Sequence, residues 1–460
     1  MIHFSFKKLS DIVQSQLTSA FHQHQFQGIS TDTRALQPGN LFIALKGEHY
    51  DGHAFLNEAH QKGAAAAIVT QKTDAPLLQL AVPDTVKALG LLAHEWRKQF
   101  QIPVVALTGS NGKTTLKNMV AAILRAACYP QENAVLATEA NFNNHIGVPL
   151  LLSQLHAAHR YSVVEMGMNH FGELAYLTQL ACPTVAAINN AAPAHLQGVS
   201  DIAGVAKAKG EIFSGLSPTG TAILNADDDY FSYWKNLIGS RAVLSFGLNN
   251  NADIHAALHA ESGPMKQNFT LITPHGRIPV SLPLLGKHNV MNALAAATVC
   301  IALKIDLEAI RHGLELIVPA KGRLERYTLA QNICLIDDTY NANPASLQAA
   351  VRVLSNFSGN KILILGDMRE LGNQSFEQHA AMGEIIQTAG IHHLFTYGEF
   401  SEQTSKNFGS NAHHFHNQEQ LIETVKSYLT PHSTVLVKGS RYMKMEKVVA
   451  AIKNMVTVQT

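Results

Sequence analysis

From Val104 to Thr115 the chain reads Val-Val-Ala-Leu-Thr-Gly-Ser-Asn-Gly-Lys-Thr-Thr, a run whose residue types suit phosphate. Gly109 and Gly112 let backbone N–H groups turn inward around Ser110 and Asn111 without a Cβ in the way. The helix that follows presents its positive end, and Lys113 adds a cation toward the β and γ phosphates. Thr114, with Thr115 beside it, is placed to ligate Mg²⁺. The loop is a shortened variant of the standard pattern, with Thr108 ahead of Gly109. A glycine-rich turn with an incidental lysine is the alternative. Strand, paired glycines, Lys-Thr-Thr and an amphipathic helix coincide here, so the reading is ATP or GTP binding.

A bound nucleotide needs a metal carboxylate at the end of a neighbouring strand. Glu165, closing Ser162-Val-Val-Glu165, reaches the same carboxyl edge of a parallel sheet as the loop; a buried ion pair is its bland alternative.

These residues require a particular scaffold. Ile102 to Leu107 reads as a buried strand, and Leu116, Met119, Val120, Ile123, Leu124 and Ala127 form the apolar stripe of the next helix. Further strands over Tyr161–Glu165, Val185–Ile188 and Thr221–Leu224 imply a mostly parallel sheet covered on both faces. An antiparallel excursion to Pro283 and a helix from about His288 to Leu303 follow. After Val318 a second series begins, with strands at Cys334–Ile336, Lys361–Leu365, His393–Thr396 and Thr434–Val437 alternating with helices, as in a doubly wound domain. The expected class is α/β in three domains: a small mixed unit over 1–83, a central P-loop domain over 84–317 and a Rossmann-like domain over 318–460.

The 460 residues, 46% hydrophobic and 15% charged, suit several cores. The net charge of +1 supplies no whole-molecule field for nucleic acid or an anionic membrane. Cys128, Cys182, Cys300 and Cys334 form no CxxC pair, which fits reduced thiols in the cytoplasm. No stretch reaches the roughly 18 apolar residues that span a bilayer. The histidine cluster His413, His414, His416 near His392 and His393 lacks metal-binding spacing and is expected on the solvated surface.

The loop Thr108-Gly-Ser-Asn-Gly-Lys-Thr-Thr115 resembles the TGTxGKT[ST] loop of the Mur ligases, ATP-dependent amide-forming enzymes of peptidoglycan precursor synthesis, and the likeness runs along nearly the whole chain. In the first domain it implies that Ser30, Asp32, Thr33, Arg34, Lys46 and Gly47 hold the UDP end of a substrate. In the second, Asn141, Asn143 and Asn144 would contact its peptide, His195 would bind a second Mg²⁺, and Lys209 would do so as a carbamate. Asn289 and Asn292 would face adenine, although Asn289 also suits a plain helix cap. Arg323 would meet the phosphates, Asp338 the ribose, and Tyr340, Asn341 and Asn343 the substrate side of the cleft.

Leu365-Gly-Asp-Met-Arg-Glu-Leu-Gly372 and Val437-Lys-Gly-Ser-Arg-Tyr-Met443 are similar to the members that join D-alanyl-D-alanine to UDP-N-acetylmuramoyl-tripeptide. The resemblance implies catalysis by Lys113, His195, Lys209, Arg323 and two Mg²⁺ ions, through an acyl phosphate that the dipeptide amine displaces, in a monomer free of nucleic acid and membrane. A P-loop kinase and a nucleotide-switched binding protein are the competing classes.

Overall fold

The computed structural model describes residues 1–48, 50–193, 196–248, 251–259 and 266–457. Their strands form five sheets. Near the amino terminus, His3–Ser5 pairs with Gln25–Gln27 as an antiparallel ribbon, and Ile29–Ser30, Leu41–Ile43, Ala66–Val69 and Gln79–Ala81 make a four-stranded parallel sheet.

The central sheet is six-stranded and wholly parallel, in the order Ala242–Phe246, Thr221–Asn225, Val185–Ile188, Val104–Thr108, Tyr161–Glu165, Val135–Ala137. All five residues of Val104–Thr108 are buried, as expected of a strand covered on both faces. On one side of it lie the strands that follow directly in sequence, on the other the later ones, so the loop after Thr108 opens where the connections diverge.

The two faces of this sheet are covered differently. One carries the loop helix Lys113–Cys128, the helix Lys287–Ala302 and the antiparallel sheet His255–Leu258, Gln267–Thr273, Gly276–Leu282, which share a core around Leu116, Ile123, Phe269 and Leu294. The other continues without a break into the amino-terminal unit: Ile2, Phe4, Leu9, Trp96, Val164 and Leu177 belong to one cluster. Polar bonds bind the same seam. The amino-terminal ammonium and Trp96 Nε1 both donate to Leu155 O, at 3.1 and 3.0 Å, and Ile2 N donates to Ser153 O at 2.7 Å.

The last sheet has the order Glu325–Thr328, Cys334–Asp338, Thr434–Lys438, Lys361–Gly366, His393–Tyr397, Ala412–Phe415, parallel except for its first strand. Its two clusters, around Leu363 and around Val435, contain only residues of this part of the chain. Two elements depart from expectation. Glu325–Thr328 adds an antiparallel edge, and Ala412–Phe415 is an edge strand. That second strand leaves His392 and His416 exposed, as expected, but takes His413 and His414 partly out of solvent. His414 Nδ1 meets Thr396 Oγ1 at 2.8 Å and His413 Nε2 meets the Tyr428 hydroxyl at 3.0 Å.

Candidate active site

Register carries the chemistry to one edge. Leu107 pairs with Glu165 and Thr108 with Ile188, so Gly109 and Ser110 leave the sheet between Glu165 and the Asn189–Asn190 pair. The glycines are needed there. Gly112 has φ +76°, and a Cβ on it would stand 2.7 Å from Asn189 Nδ2; one on Gly109 would stand 2.9 Å from Asn189 Cβ.

Asparagines fix the loop. Asn111 N donates to Asn190 Oδ1 at 2.9 Å, while its carbonyl accepts from Asn189 Nδ2 at 3.0 Å and Asn190 Nδ2 at 3.1 Å. Asn189 Nδ2 also donates to Asn292 Oδ1 at 2.8 Å, Asn292 Nδ2 to Asn289 Oδ1 at 3.2 Å, and Asn289 Nδ2 to Leu285 O at 2.8 Å. Asn289 therefore does not cap its helix by its side chain; Gly286 occupies that position. Ser110 N donates to Asn190 O at 3.0 Å, and its Oγ to Ala192 O at 2.9 Å.

Lys113 folds back onto the loop, donating to Gly109 O at 2.7 Å. Burial lowers its pKa, and the Glu165 carboxylate opposes that shift. Glu165 is itself buried; its Oε1 accepts from Asn143 Nδ2 at 2.8 Å and its backbone N–H donates to Thr138 Oγ1 at 2.9 Å. Its Oε2 is buried without a partner, a costly state that a cation would relieve. Asn144 uses its Oδ1 to accept from Ile146 N and Gly147 N, holding the 141–146 turn.

The opposite wall comes from the last sheet. Arg323 lies over the Tyr340 ring, 4.0 Å from its centroid, and donates from Nη2 to Thr114 Oγ1 at 3.1 Å. Asp338 and Lys438 are paired in adjacent parallel strands and form an ion pair at 2.6 Å; Lys438 also donates to Asn341 O at 2.9 Å. Asn343 caps the helix Pro344–Ser355 and donates from Nδ2 to Asn111 Oδ1 at 2.8 Å. Two helix amino termini, at Lys113 and at Pro344, thus border one cleft of about 900 Å³.

Most of the residues singled out in sequence line this cleft: Ser110 to Thr115, Asn141, Asn143, Asn144, Glu165, Asn289, Asn292, Arg323, Asp338, Tyr340, Asn341 and Asn343. Others lie elsewhere. Lys209, on the helix Ile202–Gly210, is buried and does not line it; desolvation, and then the charge of Lys113, hold its pKa well below the ordinary lysine value against the pull of Asp228. His195 falls outside the described residues.

Ser30, Asp32, Thr33, Arg34, Lys46 and Gly47 do not line the cleft either and are largely tied to one another and to near neighbours. Ser30 Oγ donates to Asp32 O at 2.8 Å, Lys62 Nζ to Thr33 O at 2.9 Å, and Gly47 N to Tyr50 O at 2.9 Å, while Lys46 lies 3.8 Å from Asp51. Arg34 pairs with Asp32 at 2.6 Å and remains largely exposed; its hydrogen bond holds the Asp32 carboxyl down to about 2.

Sequence reasoning missed the anchoring role of Asn189 and Asn190, although their position directly after the strand Val185–Ile188 marks them as edge residues. It also gave no role to Lys438, or to Arg369, whose guanidinium lies 4.5 Å from the Tyr442 ring centroid at the cleft wall.

Known proteins decide the family. Over 98% of this chain and 99% of its own length, an Escherichia coli protein named "UDP-N-acetylmuramoyl-tripeptide--D-alanyl-D-alanine ligase" is 44% identical to it. The chain belongs to the Mur ligase family. Residues 25–97 match the profile described as Mur ligase family, catalytic domain, 107–300 the Mur ligase middle domain, and 322–441 the Mur ligase, glutamate ligase domain. Among solved Mur ligases, a crystal structure of MurF from Acinetobacter baumannii superposes with a TM-score of 0.91 at 36% identity, covering 99% of both chains. MurF from Thermotoga maritima, in complex with ADP, shares the fold at 24% identity with a TM-score of 0.83, over 94% of this chain and 99% of that one.

The donors present fit a Mg²⁺ ion shared with phosphate better than a closed protein cage. Among the described residues no group of three or more His, Cys, Asp or Glu converges on a metal position. Mg²⁺ keeps several waters and takes only one or two carboxylates beside phosphate oxygens, which matches the free Oε2 of Glu165 and the hydroxyl of Thr114.

Proposed function

We propose that this Mur ligase joins D-alanyl-D-alanine to UDP-N-acetylmuramoyl-tripeptide at the expense of ATP, releasing ADP and phosphate. The observation that carries the reading is the single cleft in which the phosphate loop, a buried carboxylate with a free oxygen and the arginine of the last domain face one another. The full-length likeness to the E. coli ligase supports the substrates.

A carboxylate is a poor electrophile, so amide formation proceeds through its phosphoric anhydride, and the dipeptide amine then expels phosphate. Positioning and charge neutralisation supply this chemistry without a covalent protein nucleophile. The first-turn amides of the helix that opens at Lys113 and the ammonium of Lys113 bind the β and γ phosphates. Arg323 leaves Thr114 to neutralise charge on the transferred group. When bound, Mg²⁺ at Glu165 and Thr114 lowers the repulsion between phosphate and substrate carboxylate. Asn141, Asn143 and Asn144 hold the peptide, Asp338 the ribose, and the asparagines at 289 and 292 support the nucleotide side.

Residues 1–83 take the UDP end through Arg34 and its neighbours, residues 84–317 hold ATP, and residues 318–460 close over it and receive the dipeptide. Were Lys209 carbamylated, it and His195 would hold a second Mg²⁺; burial lowers the Lys209 pKa, which favours the neutral amine that CO₂ requires. No described helix is long and apolar enough to cross a membrane, and we place the enzyme in the cytoplasm, with its nucleotide substrates.

The test is nucleotide-coupled turnover with purified full chain and Mg²⁺. ADP release is expected only when both UDP-N-acetylmuramoyl-tripeptide and D-alanyl-D-alanine are present. Release with the first alone would indicate a carboxylate kinase, and consumption of ATP with neither would leave a nucleotide-driven switch.

A further inference from the structure

Among the described residues the last domain shares no apolar cluster with the rest of the chain, yet it reaches the phosphate loop through a direct amide contact. Asn343 makes it, and the donors and acceptors around Asn343 leave one arrangement. Ser346 N–H donates to the Asn343 side chain at 2.8 Å, so that atom is Oδ1. The other end is then Nδ2, a donor, and it faces Asn111, which must present Oδ1 at 2.8 Å. Ser346 Oγ closes the capping box by accepting from Asn343 N at 3.0 Å. Each end of the Asn343 carboxamide thus has a partner in the protein.

At the other side of the contact, Asn111 has its backbone N–H and carbonyl fixed by Asn190 and Asn189. Asn189 continues to Asn292 and Asn289. A run of five asparagines thus joins the cap of the helix Pro344–Ser355 to the phosphate loop, the strand Val185–Ile188 and the helix Lys287–Ala302. Linked amides polarise one another and hold one geometry.

We infer that Asn343 is a positioning residue: through Asn111 it sets the phosphate loop in register with the last domain, so that closure of that domain and readiness of the loop for phosphoryl transfer are one event. The inference rests on the ligase reading for its kinetic test and on the geometry alone for its structural one.

Asn343→Ser keeps a good cap, since serine serves that position as well as asparagine, but is too short to reach Asn111. In the full chain, kcat for ADP release is expected to fall about fivefold to tenfold, the loss commanded by one neutral hydrogen bond, while KM for the UDP substrate stays within twofold. Asn111→Ala should lose at least as much, and the double variant should lose no more than Asn111→Ala alone. Losses that multiply in the double variant, or an unchanged kcat in Asn343→Ser, would overturn the inference. Hydrogen exchange without substrates separates it from the ligase reading. Amides 109–115 should exchange several-fold faster in Asn343→Ser while those of the helix Pro344–Ser355 are unchanged; equal rates across 109–115 would also sink it.

Discussion

Lys113 bears the most specific claim at the scale of the residue. Its ammonium rests on Gly109 O, in the space a β or γ phosphate would enter, and burial already weakens its hold on the proton. Loss of a surface ion pair changes little, but loss of a buried cation from a phosphoryl-transfer site removes stabilisation where charge develops. Lys113→Ala is expected to lower ADP release with both substrates by more than a hundredfold; activity within tenfold of the parent would reject its role. Single residues also set the response to acid. Burial, and secondarily the charge of Lys438, lower the His288 pKa to about 4, and burial lowers that of His159 to about 4 as well. Because these imidazoles are more basic when unfolded, their contribution is complete above about pH 6.5 and fades as pH falls toward 4. His288 is worth roughly 3 kcal/mol at most over that window, and His159, less enclosed, is worth less. Urea midpoints should fall from pH 7 to pH 5, and less steeply in His159→Gln; equal slopes would show that His159 is charged in the fold.

Elements show what a sequence reveals and what it hides. The strands Tyr161–Glu165 and Val185–Ile188 and the loop helix are visible because apolar runs and stripes are local patterns. The strand Ala412–Phe415 is not, since its four residues include two histidines and only its pairing with His393–Tyr397 makes it a strand. Pairing likewise hides the Asp338–Lys438 contact, which depends on two strands a hundred residues apart meeting in register. Lys438 is 2% exposed and Asp338 14%, so removing the lysine strands a mostly buried carboxylate. Lys438→Met should cost roughly 2–4 kcal/mol in denaturant unfolding, below the full cost of breaking a wholly buried pair because Asp338 keeps some water. Asp338→Asn in the same chain should recover part of that loss; no recovery would mean that packing, not charge, holds these strands.

The whole molecule was the least legible in sequence. The motifs named a phosphate loop and an arginine more than two hundred residues later, but nothing local to either states that Arg323 touches Thr114 or that Asn343 touches Asn111. Nor does any pattern near Ile2 or Trp96 announce that the first strands share an interior with the central sheet. That continuity has a consequence for the substrate. With the ribbon, Leu155 and Trp96 clamped into one body, a ligand held at Arg34 and Lys113 as proposed above would be measured by a ruler whose two marks do not slide. The part beyond Leu316, proposed above to close over ATP, hangs on an exposed strap that includes Val318 and would be the jaw.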